Sequence, residues 1–230
     1  MIKMWKGFQM KRVVIAIDGP SGSGKGTVSK ILKEKLNLLY IDTGAMYRCI
    51  ALKALKNNMD LKDNESLIDM ARKCDISFSS DSVFLDGEDV SLDIRNEEVS
   101  TAASIVSRIK EIREIMVHKQ REFAKNNNII MEGRDITTVV LPDALYKFYL
   151  DASLEVRAKR RYEQNKEKNI DSSYEEVLEN MRQRDYNDMH RDVGALKVGN
   201  GVTYIDSTNM TISDVVDKII NIVGSGSNES

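Results

Sequence analysis

Short runs of branched apolar residues alternate along the chain with longer stretches whose apolar positions recur every three or four residues. Arg12 to Ile17 (RVVIAI) is a β-branched run, and the segment GTVSKILKEKL after it sets Val28, Ile31, Leu32 and Leu36 on one helical stripe. Leu38 to Asp42 (LLYID) reads as a second strand, and Met46, Ile50 and Leu55 then fall along a helix face. NNIIMEG, LYKFYLD (Leu145 to Asp151) and VTYIDS (Val202 to Ser207) supply three further strands. Short buried strands separated by helices predict an α/β fold, a five-stranded parallel sheet flanked by helices on both faces.

One region breaks this rhythm. CDISFSSDSVFLDGEDVSLDIR alternates apolar and polar residues around Asp86-Gly87, which predicts a small antiparallel β insert with tight turns, projecting from the sheet over residues 62–103. SIVSRIKEIREIMVHKQREFAKN predicts a helical stretch returning to the core. The charged run DASLEVRAKRRYEQNKEKNIDSSYEEVLENMRQRDYNDMHRD predicts paired helices or a mobile lid. The expected organisation is a leader (1–11), core (12–61), insert (62–103), core (104–151), lid with flanking helices (152–191), core (192–223) and a flexible glycine-rich tail (224–230).

At 230 residues the chain holds one α/β core with a small insert rather than several domains. A net charge of −2 argues against general affinity for nucleic acid or anionic membrane, yet leaves room for local arginine clusters. Cys49 and Cys74, the only cysteines, lie in no CxxC or Cys/His framework, so neither a disulfide scaffold nor a zinc site is expected. The first ten residues lack a signal-peptide h-region, and no apolar run is long enough to span a bilayer, so a soluble cytoplasmic protein is expected.

GPSGSGKG (Gly19 to Gly26) carries the chemistry. Gly19, four residues, Gly24 and Lys25 meet the P-loop spacing between a strand and a helix. Glycines 19, 22 and 24 let backbone N–H groups point at an anion, and the helix beginning near Lys25 adds its N-terminal dipole. Lys25 can reach the β/γ-phosphates. Position 26 is Gly where Ser or Thr is usual, with Thr27 next. Magnesium is therefore expected to be held mainly by phosphates and water, with Ser23 or Thr27 on phosphate oxygens and no dedicated metal ligand. No guanine-reading NKxD or DxxG switch stands at a suitable place, which argues against a regulatory GTPase. Arg48, Arg95, Arg113, Arg134, Arg157, Arg160, Arg161, Arg184 and Arg191 are instead spread through segments able to converge on a cleft and grip phosphates.

GPSGSGKGT, DTGAMYR (Asp42 to Arg48), GEDVSLDIRNEEV, AAS (Ala102 to Ser104), EGRDITTVVLPDA and RDYNDMHR, in this order, resemble the bacterial cytidylate kinase family over essentially Arg12 to Val223. The resemblance implies the P-loop nucleoside monophosphate (NMP) kinase fold, with a CMP-binding insert and a short arginine-rich helical lid. It implies a monomer that uses ATP and Mg2+ to convert CMP and dCMP to their diphosphates in pyrimidine metabolism. By this resemblance Gly19, Ser21, Gly22, Ser23, Gly24, Lys25, Gly26 and Thr27 hold ATP, with Arg157, Arg160 and Arg161 of the lid on its phosphates. Arg157 and Arg161, four apart, are expected to share one lid face. Thr43, Arg48 and Arg134 lie near the acceptor phosphate, Ser104, Arg113 and Asp135 read cytosine, Arg184 and Asp188 read ribose, and Arg191 is another phosphate contact. Lys25, Arg134 and Arg191 are the expected catalytic residues. Asp42 either caps a helix or organises magnesium through water; His118 and His190 are expected at the surface or in packing.

The sequence departs from the family at Gly194-Ala195-Leu196, where Ser-Pro-Leu is common, and at Asn187, where a basic residue is common. The alternatives are a UMP/CMP dual-specificity kinase and a non-catalytic P-loop nucleotide-binding protein.

Overall fold

The computed structural model describes residues 12–79 and 82–226. The expected leader and the end of the expected tail lie outside the described residues.

In chain order the elements are β1 (Val14–Asp18), α1 (Lys25–Leu36), β2 (Leu39–Asp42), α2 (Thr43–Lys56), α3 (Asn64–Lys73), β3 (Ile76–Ser79), β4 (Ser82–Leu85), β5 (Glu88–Asp89), a 3-10 turn (Asp93–Arg95), α4 (Glu97–Val106) and α5 (Lys110–Lys125). They continue with β6 (Ile129–Gly133), a π-helical turn (Ile136–Val140), β7 (Tyr146–Asp151), α6 (Leu154–Glu167), α7 (Tyr174–His190), β8 (Thr203–Asp206) and α8 (Ile212–Gly226). The main sheet is parallel throughout, in the order β2-β6-β1-β7-β8, and the insert forms the antiparallel sheet β3-β4-β5. All five sheet strands match the apolar runs read from the sequence.

Alternation along β1 feeds two cores. Ile15 and Ile17 pack with Val28 and Leu32 of α1, Phe148 of β7 and Val215 and Ile219 of α8 on one face. Ala16 turns to the other face, where Met46 and Ile50 of α2 meet Ile112 and Met116 of α5. Leu67, Ile76, Leu85 and Ile94 of the insert belong to this same second core, so the small sheet is anchored by burial as well as by its ends.

Two expectations are corrected. The helical stretch before β6 is broken at Ser107–Ile109, where Arg113 donates to the Ser107 carbonyl at 3.2 Å, so that carbonyl is satisfied from the next helix rather than along one continuous helix. At the C-terminus α8 runs on to Gly226, three residues past Val223, because Val223 is still anchored in the core and its carbonyl accepts from Tyr146 Oη at 3.0 Å. The charged run forms α6 and α7, packed through Ala158, Val177 and Met181.

Candidate active site

The C-terminal ends of β1, β2 and β6 and the first turns of α1 and α2 meet at one cleft. Gly19 leaves β1 at φ +150°, and a Cβ there would lie 2.0 Å from the Leu150 carbonyl oxygen, so only glycine lets the turn run this close to β7. Lys25 opens α1 and is buried; its Nζ donates to the Pro20 carbonyl at 2.7 Å and lies 3.4 Å from Ser23 Oγ. Burial, and then the charge of Arg134, lower its pKa, while Glu132, Asp18 and Asp188 pull the other way. Thr27 is exposed at the head of the helix.

Three residues that the sequence reading did not single out complete this side. Glu132, the last residue but one of β6, is buried and accepts from Tyr40 Oη at 2.5 Å. Burial first, then Asp42, raise its pKa. A Cβ at Gly26 would come within 3.1 Å of Glu132 Oε1 and 3.7 Å of Tyr40 Oη, so this carboxylate faces the position where a P-loop usually carries its hydroxyl. Asp18 ends β1 and accepts from Ile136 N (2.8 Å), Thr137 N (2.7 Å) and Thr137 Oγ1 (2.6 Å), which fixes the π-helical turn against the P-loop strand. The signal for Glu132 and Asp18 was present: each is an acid closing a buried apolar run, IIME and VIAID.

Across the cleft Thr43 Oγ1 donates to the Glu132 carbonyl at 2.8 Å. Asp42 caps α2, accepting from Ala45 N at 3.2 Å, and also accepts from Arg48 at 2.8 Å; Arg48 Nε is buried without a hydrogen-bond partner among the described residues. Arg134 Nε donates to Asp188 at 2.7 Å. Burial opposes the Asp188 charge, but Arg134 outweighs it and holds the carboxyl below its ordinary value. Arg191 donates from Nε to the Gly194 carbonyl and stands 3.8 Å from Asp188 and 4.0 Å from Asp135. Arg113 is bonded to Asp135, with the Tyr47 ring 5.5 Å from its guanidinium carbon. Arg184 is exposed on α7; desolvation, and then the charge of Arg134, lower its pKa to about 10, which leaves it charged at neutral pH. Ser104 is exposed on α4, with no side-chain hydrogen bond among the described residues.

The lid arginines lie in different environments. Arg157 is buried and bonded to the Ala152 carbonyl (2.8 Å), the Ser21 carbonyl (3.1 Å) and Asp185 (2.7 Å). Arg160 donates to the Ser207 carbonyl at 3.0 Å, and Arg161 is exposed. The first turn of α6 packs on the P-loop, which separates two residues that share a helix face. Both histidines are exposed, His190 stacked on Tyr186 at 4.1 Å. No helix of the described residues is long and apolar enough to cross a membrane.

The family model for cytidylate kinase matches residues 15–225. A cytidylate kinase from Caldanaerobacter subterraneus subsp. tengcongensis is 53% identical over 207 residues, spanning 90% of this chain and 92% of that protein. A cytidylate kinase from Clostridium botulinum (strain Langeland) is 46% identical over 214 residues, spanning 93% and 99%. Among solved structures, a gluconokinase from Sinorhizobium meliloti 1021 superposes with a TM-score of 0.51 over 94% of each chain at 10% identity, a likeness of fold alone. With its P-loop, parallel sheet and antiparallel insert, the chain belongs to the cytidylate kinase family.

Proposed function

We propose that the chain transfers the γ-phosphoryl group of ATP to CMP or dCMP, acting as a monomer in the cytoplasm. The observation that carries the reading is geometric: the end of β6 stands between the two phosphate-binding groups, with the Glu132 carboxylate against Gly26 of the P-loop, its carbonyl accepting from Thr43 at 2.8 Å, and Arg134 two residues on. A donor phosphate on Lys25 and an acceptor phosphate on Arg134 are then neighbours across one cleft.

An acceptor phosphate is already ionised near neutral pH, so no side chain must remove a proton. Its oxygen forms a bond to the γ-phosphorus of ATP as the bond from that phosphorus to the β–γ bridging oxygen breaks, and ADP leaves with the electron pair. The protein's work is alignment and charge neutralisation. Backbone N–H groups of Gly19 and residues 21–27, with the Lys25 side chain, hold the donor; Thr43, Arg48, Arg134 and Arg191 hold the acceptor phosphate; Arg160 and Arg161 reach the donor from α6. Arg157 serves by holding the P-loop at Ser21 and α7 at Asp185. Glu132, one buried carboxylate beside Gly26, fits a magnesium ion whose other partners are phosphate oxygens and water. Magnesium would withdraw charge from the β- and γ-phosphates.

Arg113 supplies donors for the carbonyl and ring nitrogen of cytosine, and Asp135 accepts from its amino group. Uracil presents a carbonyl where cytosine has that amino group, which sets it against the carboxylate. Arg184 and Asp188 face the ribose. The test is ATP-dependent diphosphate formation with CMP, dCMP, UMP and AMP in parallel, with added Mg2+ or chelator. Magnesium-dependent preference for CMP and dCMP is expected. Equal use of UMP would make the enzyme a dual-specificity kinase, and absence of acceptor-dependent transfer would overturn the reading.

A further inference from the structure

The Arg113–Asp135 pair is closed off in this structure. Arg113 is 3% and Asp135 6% exposed, and each is bonded to the other. Tyr47 covers one side of the guanidinium. Gly194 covers the pair from elsewhere: it has φ +66°, and a Cβ on it would lie 2.2 Å from Asp135 Oδ2 and 2.3 Å from an Arg113 terminal nitrogen. Only glycine can press its backbone this closely in this left-handed conformation. The segment is tied down on both sides, by Arg191 Nε donating to the Gly194 carbonyl and by Leu196 N donating to the Asp188 carbonyl at 2.8 Å. Beneath it, Arg113 Nε and the Arg191 terminal nitrogen nearest Asp135 are buried without hydrogen-bond partners among the described residues. Donors left unpaired in a closed pocket are costly there and are satisfied by a polar ligand that enters it.

We propose that Gly194 is a latch over the base-recognition pair: residues 192–195 rest on Arg113 and Asp135 and must lift before the base of the acceptor can reach them. This rests on the reading that the pair recognises cytosine. The latch and the base compete for one surface, so the closed form reduces the apparent affinity for CMP by the fraction of molecules that are open. The two ties on the segment run to Arg191 and to the Asp188 backbone, both at the acceptor site, so lifting it would alter the residues that meet the phosphate and ribose.

The experiment is calorimetric binding of CMP, UMP and ATP to the parent chain, Gly194→Ala and Asp135→Asn. The alanine methyl cannot sit against Asp135, so Gly194→Ala should bind CMP about tenfold tighter, the gain when an open state near 10% becomes dominant, with ATP affinity unchanged. Unchanged or weaker CMP binding with normal ATP binding would overturn the latch. Asp135→Asn tests the underlying reading separately: an unchanged CMP-over-UMP preference would remove base recognition from the pair, whatever Gly194→Ala does. Should Gly194→Ala fail to fold, Val193→Trp places a reporter at an exposed position of the segment. Its emission, with the parent's Trp5 as baseline, should shift saturably with CMP and stay still with ATP alone; no shift with CMP would refute the lifting motion.

Discussion

Arg157 and Arg134 each reach an aspartate of α7 at 2.7 Å, Arg157 at Asp185 and Arg134 at Asp188, almost one helical turn apart. Their remaining partners differ. Arg157 also donates to two backbone carbonyls, and its side chain is 6% exposed; Arg134, among the described residues, adds only a 3.3 Å contact to its neighbour's carbonyl and is 19% exposed. The first guanidinium is enclosed by protein and joins the P-loop, α6 and α7 into one body. The second is held by a carboxylate at the cleft edge, a partner that a phosphate can displace or share. Burial with several fixed acceptors makes an arginine part of the scaffold, whereas a single anionic partner at a cleft keeps it available.

The comparison is sharpest in turnover. Lys25→Met and Arg134→Met each remove a fixed positive charge from the reacting phosphates, and turnover should fall about 10²- to 10³-fold. In Lys25→Met the CMP affinity should change little, read by steady-state kinetics beside CMP calorimetry; equal turnover would eliminate its electrostatic role. Arg157→Met acts on stability instead. It strands the buried Asp185, and urea unfolding should show a loss of about 3–5 kcal/mol. Arg161→Ala, one turn along α6, should leave unfolding within about 0.5 kcal/mol of the parent while raising the KM for ATP severalfold. If Arg157→Met melts like the parent and Arg161→Ala does not, the assignment of scaffold and contact is reversed.

Periodicity and spacing were enough for the sheet, the P-loop and the antiparallel strands β3–β5, because each is a local pattern with a local cause, but not for α3 and the start of α4, which make much of residues 62–103 helical where a β insert was expected. The roles within RAKRR were not legible in the same way. Arg157 and Arg161 do lie on one side of α6, but whether that side meets solvent or the P-loop depends on Ser21 and Asp185, which are distant in sequence. Glu132 was visible as an acid after IIM, but its role was not, because that acid gains meaning only when β6 pairs with β1 and β2 and Tyr40 turns its hydroxyl inward. Gly194 was visible as a departure from the family, yet its contact with Asp135 depends on tertiary packing.

The smallest effect concerns pH and separates two carboxylates of the cleft. Asp188 is held below its ordinary value by Arg134 against the opposing effect of burial. Its folded pKa is depressed, so the stability it contributes is present above the unfolded aspartate value of about 3.9 and is lost as pH falls through the folded value. Asp188→Asn should therefore be less stable than the parent near neutral pH, and the gap should close below about pH 4. Glu132 works with the opposite sign. Burial and then Asp42 raise its pKa, so ionising it above the ordinary glutamate value of about 4.3 costs stability, and Glu132→Gln should remove that cost. Melting curves of the parent and both variants across this range should give stability differences with opposite slopes; parallel curves would mean that neither carboxylate titrates differently on folding, and the electrostatic contrast between the two sides of the cleft would be lost.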